Sequence, residues 1–318
     1  MLPTGEQIEI GFADQHAVIT QVGATLRSYE SAGAPVVEGF APHEMPDACR
    51  NQICYPWVNR VGSGVWDFSH RVAHVGADNV VSKTLNHGLI RWRPFSVDAV
   101  EPSRCVLSYV LFPVPDYPFA TRFEVRYELD VRGLGVTSIV TNLDDVDVPF
   151  SLGFHPYFAT TGPSIDGAGL HLPARSYLEV DERMLPTGVV RPVAGTPFDF
   201  RVPRAIDGEV LDVTYTDLER DEDGLFTVTL VGIDGSVTRV SQDGAFAYFQ
   251  AFSADTLAAA RRRTSLALEP MTAPAEALRS HQGLISLAPS QSWSGVWRVR
   301  REGPDASRVS TRVSRPGR

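Results

Sequence analysis

The chain is poor in the features that mark several function classes. Three cysteines occur among 318 residues, Cys49, Cys54 and Cys105, with no C-x-x-C pair and no Cys/His spacing of a metal site. A disulfide framework is therefore not expected, and the thiols read as buried residues of a reducing compartment. Positive charge is short too: 29 Lys and Arg stand against 38 Asp and Glu, a formal net charge of −9. A nucleic-acid partner would ask for a basic face, so none is expected. No apolar run approaches the length that spans a bilayer, and "MLPTGEQIEIGF" lacks a basic segment followed by an apolar core. A cytoplasmic chain with no membrane partner is the expectation. Helical patterning is also scarce, the best case being "SADTLAAARR" (253–262), with Ser253 or Asp255 as its cap.

What is present is strand pattern, nearly everywhere. In "TRFEVRYELDV" (121–131) Phe123, Val125, Tyr127, Leu129 and Val131 alternate with charged residues, giving one dry face and one wet face. "RGLG" (132–135) supplies a turn and "VTSIVTN" (136–142) returns, which predicts a hairpin. "LFTVTLVG" and "SVTRVSQ" predict a second, around Ile233-Asp-Gly235, and "VGSGVWDF" (61–68) a third, turning at Gly62 and Gly64. Many strands, few helices and frequent Gly and Pro predict an all-β fold, a sandwich or barrel. Hydrophobic residues make up 43% of the chain and no linker divides residues 1–300, so one large domain is expected. The arginine-rich tail 301–318 reads as disordered.

Four segments break the half-buried pattern by setting ionisable side chains among apolar and turn residues. "CYPWVNRVGSG" carries Asn59 and Arg60 before a glycine turn, and "LNHGLIRWRPF" carries His87, then Arg91 and Arg93 around Trp92. "SLGFHPYF" carries His155, and "TSLALEPMTAP" carries Glu269 at the end of an alternating strand that Pro270 is expected to stop. A histidine in an apolar run is more often a satisfied core residue, and a strand-end glutamate more often a surface residue. Both, however, share one local design: apolar strand, ionisable residue, proline. A carboxylate and histidines in an aromatic setting suit general acid–base catalysis. A zinc site from His87, His155 and Glu269 would be conceivable, but nothing like H-E-x-x-H occurs.

Taken in order, these segments resemble the aldose 1-epimerase (galactose mutarotase) family. "NRVGSGVWDF" is similar to its Asn-Arg turn, "LNHGLIRWRPF" to its His-Gly segment and "SLGFHPYF" to its His-Pro-Tyr-Phe motif. "VLDVTYTDL" (210–218) is similar to its Leu-Asp segment and "LALEPMTAP" to its Glu-Pro segment; "LAPSQSWSGVWRVR" resembles its closing strand. The resemblance implies a large antiparallel β-supersandwich with a sugar cleft. It implies Glu269 as the base that takes the proton of the C1 hydroxyl of a hexose, and His155 as the acid that protonates the ring oxygen. His87 would hydrogen-bond near C1, while Arg60, Asn59 and Asp212 would bind the sugar. No metal or organic cofactor is implied, and a monomer or homodimer is expected.

Alternatives attach to several residues. Asp217 is a rival of Asp212, and Arg60 could serve a structural ion pair. Arg91 and Arg93 could cover the sheet rim or meet an anionic sugar such as a hexose phosphate. Met271 stands where a glutamine follows the proline in better-known members, and His155 lacks their Asn-rich lead-in. These departures bear on the sugar more than on the reaction. A non-catalytic sugar-binding domain would be marked by loss of the acid or the base, and both are present.

Overall fold

A computed structural model describes residues 1–77 and 83–304. The fold is the expected antiparallel β-supersandwich. Its widest sheet has nine strands and is centred on Thr121–Asp130, Gly133–Asn142 and the closing strand Ser292–Glu302. The first two form the predicted hairpin, with Phe123 opposite Val140, Tyr127 opposite Val136 and Leu129 opposite Leu134. All six of these side chains are buried, each burial stabilising by roughly 1.5–3 kcal/mol. The alternation ends sooner than its pattern suggested, because Val131 lies in the turn and is exposed. Gly133 closes that turn with φ +98°, where a Cβ would sit 2.1 Å from the Val299 carbonyl oxygen. The second predicted hairpin, Phe226–Val231 with Val237–Gln242, belongs to the same sheet.

The third hairpin forms differently. Gly62 and Gly64 separate two strands that do not pair: Arg60–Gly62 bonds to Thr84–Asn86, and Gly64–Phe68 bonds to Arg71–Val75. The helix expected over 253–262 is also absent. Ala254 takes φ +61°, the Ser253 hydroxyl bonds the Leu211 backbone, and turns follow. Arg261 pairs with Glu38 and Arg263 with Asp255, fixing this segment against the sheet edge through side chains rather than helical bonds. Among the described residues the only helical pieces are the short turns Ile165–Gly167 and Ala277–Ser280, and no helix is long and apolar enough to cross a membrane.

A second large sheet carries Asp212–Leu218, Tyr248–Phe252, Ser265–Met271, Gly153–Phe154 and Ile53–Cys54 side by side. Every residue of Ser265–Met271 is buried, the mark of a strand covered on both faces. Pro270 does not end it. The Leu268 and Thr272 amides point to the Pro156 and Leu152 carbonyls, so the missing Pro270 donor falls between them. That is where the neighbouring strand is interrupted at His155-Pro156, and no ladder bond is forfeited. One main apolar core runs from Ile8 to Val299 and joins residues of both sheets. The closing strand extends through Glu302, past the boundary expected at residue 300; of the tail expected to be disordered, 305–318 lie outside the described residues.

Candidate active site

The interruption at His155 positions its ring. Its amide donates to the Gln52 carbonyl at 3.1 Å and its carbonyl accepts from the Asn51 amide at 3.0 Å. The Asn51 side-chain oxygen accepts from the Tyr157 amide at 2.9 Å, so one loop residue grips both sides of the break. The imidazole stacks on Tyr157 with centroids 5.0 Å apart, and the edge of His87 meets it at 5.2 Å.

Glu269 reaches the same point from the adjacent strand. Its Oε1 lies 3.4 Å from His155 Nε2, with both side chains almost fully buried. Burial pushes the Glu269 carboxyl well above its ordinary 4.5, helped by the Asp212 and Cys49 charges. Burial likewise presses His155 down to about 3, with Arg60 and Arg91 contributing. Both shifts favour the uncharged forms, so the resting pair holds one proton, on Glu269.

His87 follows the strand Thr84–Asn86 in a left-handed conformation, φ +61°, and its amide donates to the Asn59 carbonyl at 2.8 Å. The next residue must be glycine: at Gly88 φ is +73° and a Cβ would lie 2.1 Å from the Tyr55 carbonyl oxygen. Burial and the neighbouring His155 hold the His87 imidazole well below its ordinary value, in the neutral form. Asn59, also left-handed, accepts from Arg60 through its side-chain oxygen at 3.1 Å. Arg60 faces Asp212 at 4.0 Å, a gap a hydroxyl group could bridge.

All six residues singled out from the sequence line one cavity of about 690 Å³. Asp212 opens its strand at that cavity, whereas its rival Asp217 sits exposed in its strand and does not line it. Arg91 and Arg93 part company: Arg91 lines this cavity, Arg93 a smaller one beside Leu89 and Tyr109. Tyr157 is both fully buried and part of the wall.

Sequence reasoning missed Gln250. It pairs with Glu269 across the strands, donates to Asp212 Oδ1 at 2.6 Å and accepts from Thr214 at 2.5 Å. This bond and Arg60 favour the Asp212 carboxylate, yet burial still raises its pKa. The signal was available: "YFQAF" sets one polar residue in an apolar strand, as "SLGFHPYF" does. Cys49 was missed as well; it touches the cavity and lies beside Cys54.

Fold and cavity together define a β-supersandwich protein with a buried carboxyl–imidazole pair lining an open, polar cleft. The family profile described as aldose 1-epimerase matches residues 6–300. The Escherichia coli (strain K12) uncharacterized protein YihR is 28% identical over 285 residues, covering 89% of each chain. Human galactose mutarotase is 45% identical over a match covering 56% of this chain and 54% of its own length. Among solved structures, the Caenorhabditis elegans GalM/aldose epimerase homologue superposes with TM-score 0.84 at 18% identity, covering 94% of this chain and 99% of that one. Galactose 1-epimerase from Lactobacillus acidophilus gives 0.77 at 18% identity, covering 93% of both chains. These two structures bear on the fold alone. The chain belongs to the aldose 1-epimerase family, a membership that supports an isomerase-type enzyme.

Proposed function

We propose that the protein interconverts the α and β anomers of a hexose. The observation that carries this reading is the buried Glu269–His155 pair, 3.4 Å apart, at the wall of a polar cavity that Arg60, Asp212 and His87 share. A pyranose offers a C1 hydroxyl to the carboxylate and a ring oxygen to the imidazolium. Removal of the hydroxyl proton by Glu269 and protonation of the ring oxygen by His155 break the C1–O5 bond and leave an open aldehyde. Rotation about C1–C2 and reclosure, with acid and base exchanging roles, give the other anomer.

The resting proton sits on Glu269, so the reactive state is reached by moving it across the 3.4 Å contact to His155 Nε2. The pair then carries a carboxylate and an imidazolium without gaining or losing a proton. Arg60 favours the carboxylate so formed. Each well-placed acid or base typically contributes about 10²–10⁴-fold. Asp212, oriented by Gln250, and Arg60 would hold sugar hydroxyls between them.

A second reading concerns the sugar. Arg91 lies on the wall near both histidines, where it lowers their pKa values, and could meet an anionic substituent such as a phosphate. Polarimetry on freshly dissolved α-glucose and α-galactose tests the main reading. Acceleration by the wild type, lost in folded Glu269→Gln and His155→Asn variants, is the expected result. Acceleration only with hexose phosphates would transfer the assignment to the second reading, and acceleration with neither would refute both.

A further inference from the structure

Beside the acid–base pair lie two thiols the proposed chemistry does not use. Cys49 stands in a left-handed loop ahead of the strand Ile53–Cys54, and its side chain is both a piece of the cavity wall and a neighbour of Cys54. The two sulfurs are 3.6 Å apart, and the Cys54 sulfur is 3.4 Å from His87 Nδ1. All three donor atoms lie within 4.8 Å of one another. Spacing along the chain concealed this, since the ligand residues are brought together by two separate loops and a sheet edge.

Two sulfurs and one imidazole nitrogen form a donor set for thiophilic cations. Zinc takes sulfur at about 2.3 Å and nitrogen at about 2.0–2.1 Å in tetrahedral geometry, which sets sulfurs about 3.8 Å apart and sulfur and nitrogen about 3.6 Å apart. The Cys49–Cys54 and Cys54–His87 separations, 3.6 and 3.4 Å, fall close to these values, and the Cys49 sulfur lies within 4.8 Å of His87 Nδ1. Closing that third side by side-chain rotation would complete the set. Charge also balances: two thiolates neutralise a divalent cation, so a filled site buries no net charge.

We propose that Cys49, Cys54 and His87 form a three-ligand site for a thiophilic divalent cation of the zinc and cadmium class, its fourth position open toward the cavity. Each thiol releases its proton to solvent as its sulfur–metal bond forms, and no electron is transferred. His87 contributes the Nδ1 lone pair and keeps its proton on Nε2. Because the ion would share His87 with the sugar site, filling it blocks anomer exchange. That consequence rests on the proposed function; the site itself does not.

The test uses the full chain, reduced and freed of metal, titrated with Co²⁺ in the absence of sugar. One equivalent should produce thiolate-to-cobalt absorption in the near ultraviolet, which one equivalent of Zn²⁺ removes. Cys49→Ser and Cys54→Ser, checked for fold by circular dichroism, should each weaken binding about tenfold or more. Thiol counting on the unmutated chain gives a measurement independent of variant folding: bound Zn²⁺ should shield Cys49 and Cys54 from a thiol reagent, in the folded chain and at the pace of metal release. No thiolate band in the folded, reduced protein overturns the site. So does a band unchanged in both variants, or oxidation of the pair to a disulfide with no cation bound. A protein that binds Co²⁺ in this way but fails to accelerate mutarotation would refute the functional reading and leave the metal site standing.

Discussion

The hairpin Thr121–Asp130 with Gly133–Asn142 and the strand Ser265–Met271 are both central in their sheets, yet they treat charge oppositely. The hairpin keeps Arg122, Glu124, Arg126 and Glu128 on its wetter face, and its inward positions carry no charged residue. Ser265–Met271 is buried along its whole length and holds Glu269 inside, facing His155 and close enough to Asp212 for their charges to interact. In the first region burial lowers the free energy residue by residue. In the second it raises the cost of every ionised state, and the two groups settle into neutral forms. A rigid frame of the first kind is what holds a site of the second kind together.

Breaking the second region should give the largest effect. Glu269→Gln keeps the shape of the side chain and removes the base, so mutarotation should fall by about 10²–10⁴-fold by polarimetry, with the melting transition kept. Breaking the first should leave the chemistry alone. Phe123, fully buried opposite Val140, should cost about 3–5 kcal/mol on truncation to Ala in a denaturant titration, while the folded fraction turns over normally.

The pH dependence of stability sharpens the contrast. His155, ordinarily at 6.5 and about 3 when folded, is protonated only in the unfolded chain between those values, so its contribution is lost as pH falls through that window. Glu269, ordinarily at 4.5 and well above it when folded, stays protonated only in the folded chain, so its contribution is lost as pH rises. The two contributions therefore slope in opposite directions with pH. As pH rises above 4.5, wild-type stability should decline relative to Glu269→Gln by up to roughly 1.4 kcal/mol per pH unit, as paired melts at several pH values would show. The smallest effect belongs to Gln250→Ala, which frees Asp212 from its 2.6 Å bond. About 1–3 kcal/mol of stability and a raised KM, more than a lowered kcat, are expected.

Much of this contrast was legible in the sequence. Period-two alternation identified the hairpin because one wet face leaves an imprint on every second residue. A histidine or glutamate followed by proline inside an apolar run identified the site strands, because such a residue has no solvent to face. What stayed hidden was set by partners distant in the chain. Pro270 continues its strand only because the neighbouring strand breaks at His155, and residues 253–262 forgo a helix because Glu38, Asp166 and Asp255 hold the arginines. Cys49, Cys54 and His87 meet through loops whose left-handed residues give no periodic signal.

The most direct measurement of the central claim is nitrogen NMR of the histidine-labelled protein, with His155 assigned by its Asn variant and followed through pH 6.5, the ordinary imidazole value. A neutral His155 that does not titrate there in the wild type is the predicted result, its one shared proton resting on Glu269. An ordinary titration near 6.5 would contradict the account, because the pair would then be a solvated histidine beside a carboxylate and not a buried acid–base unit.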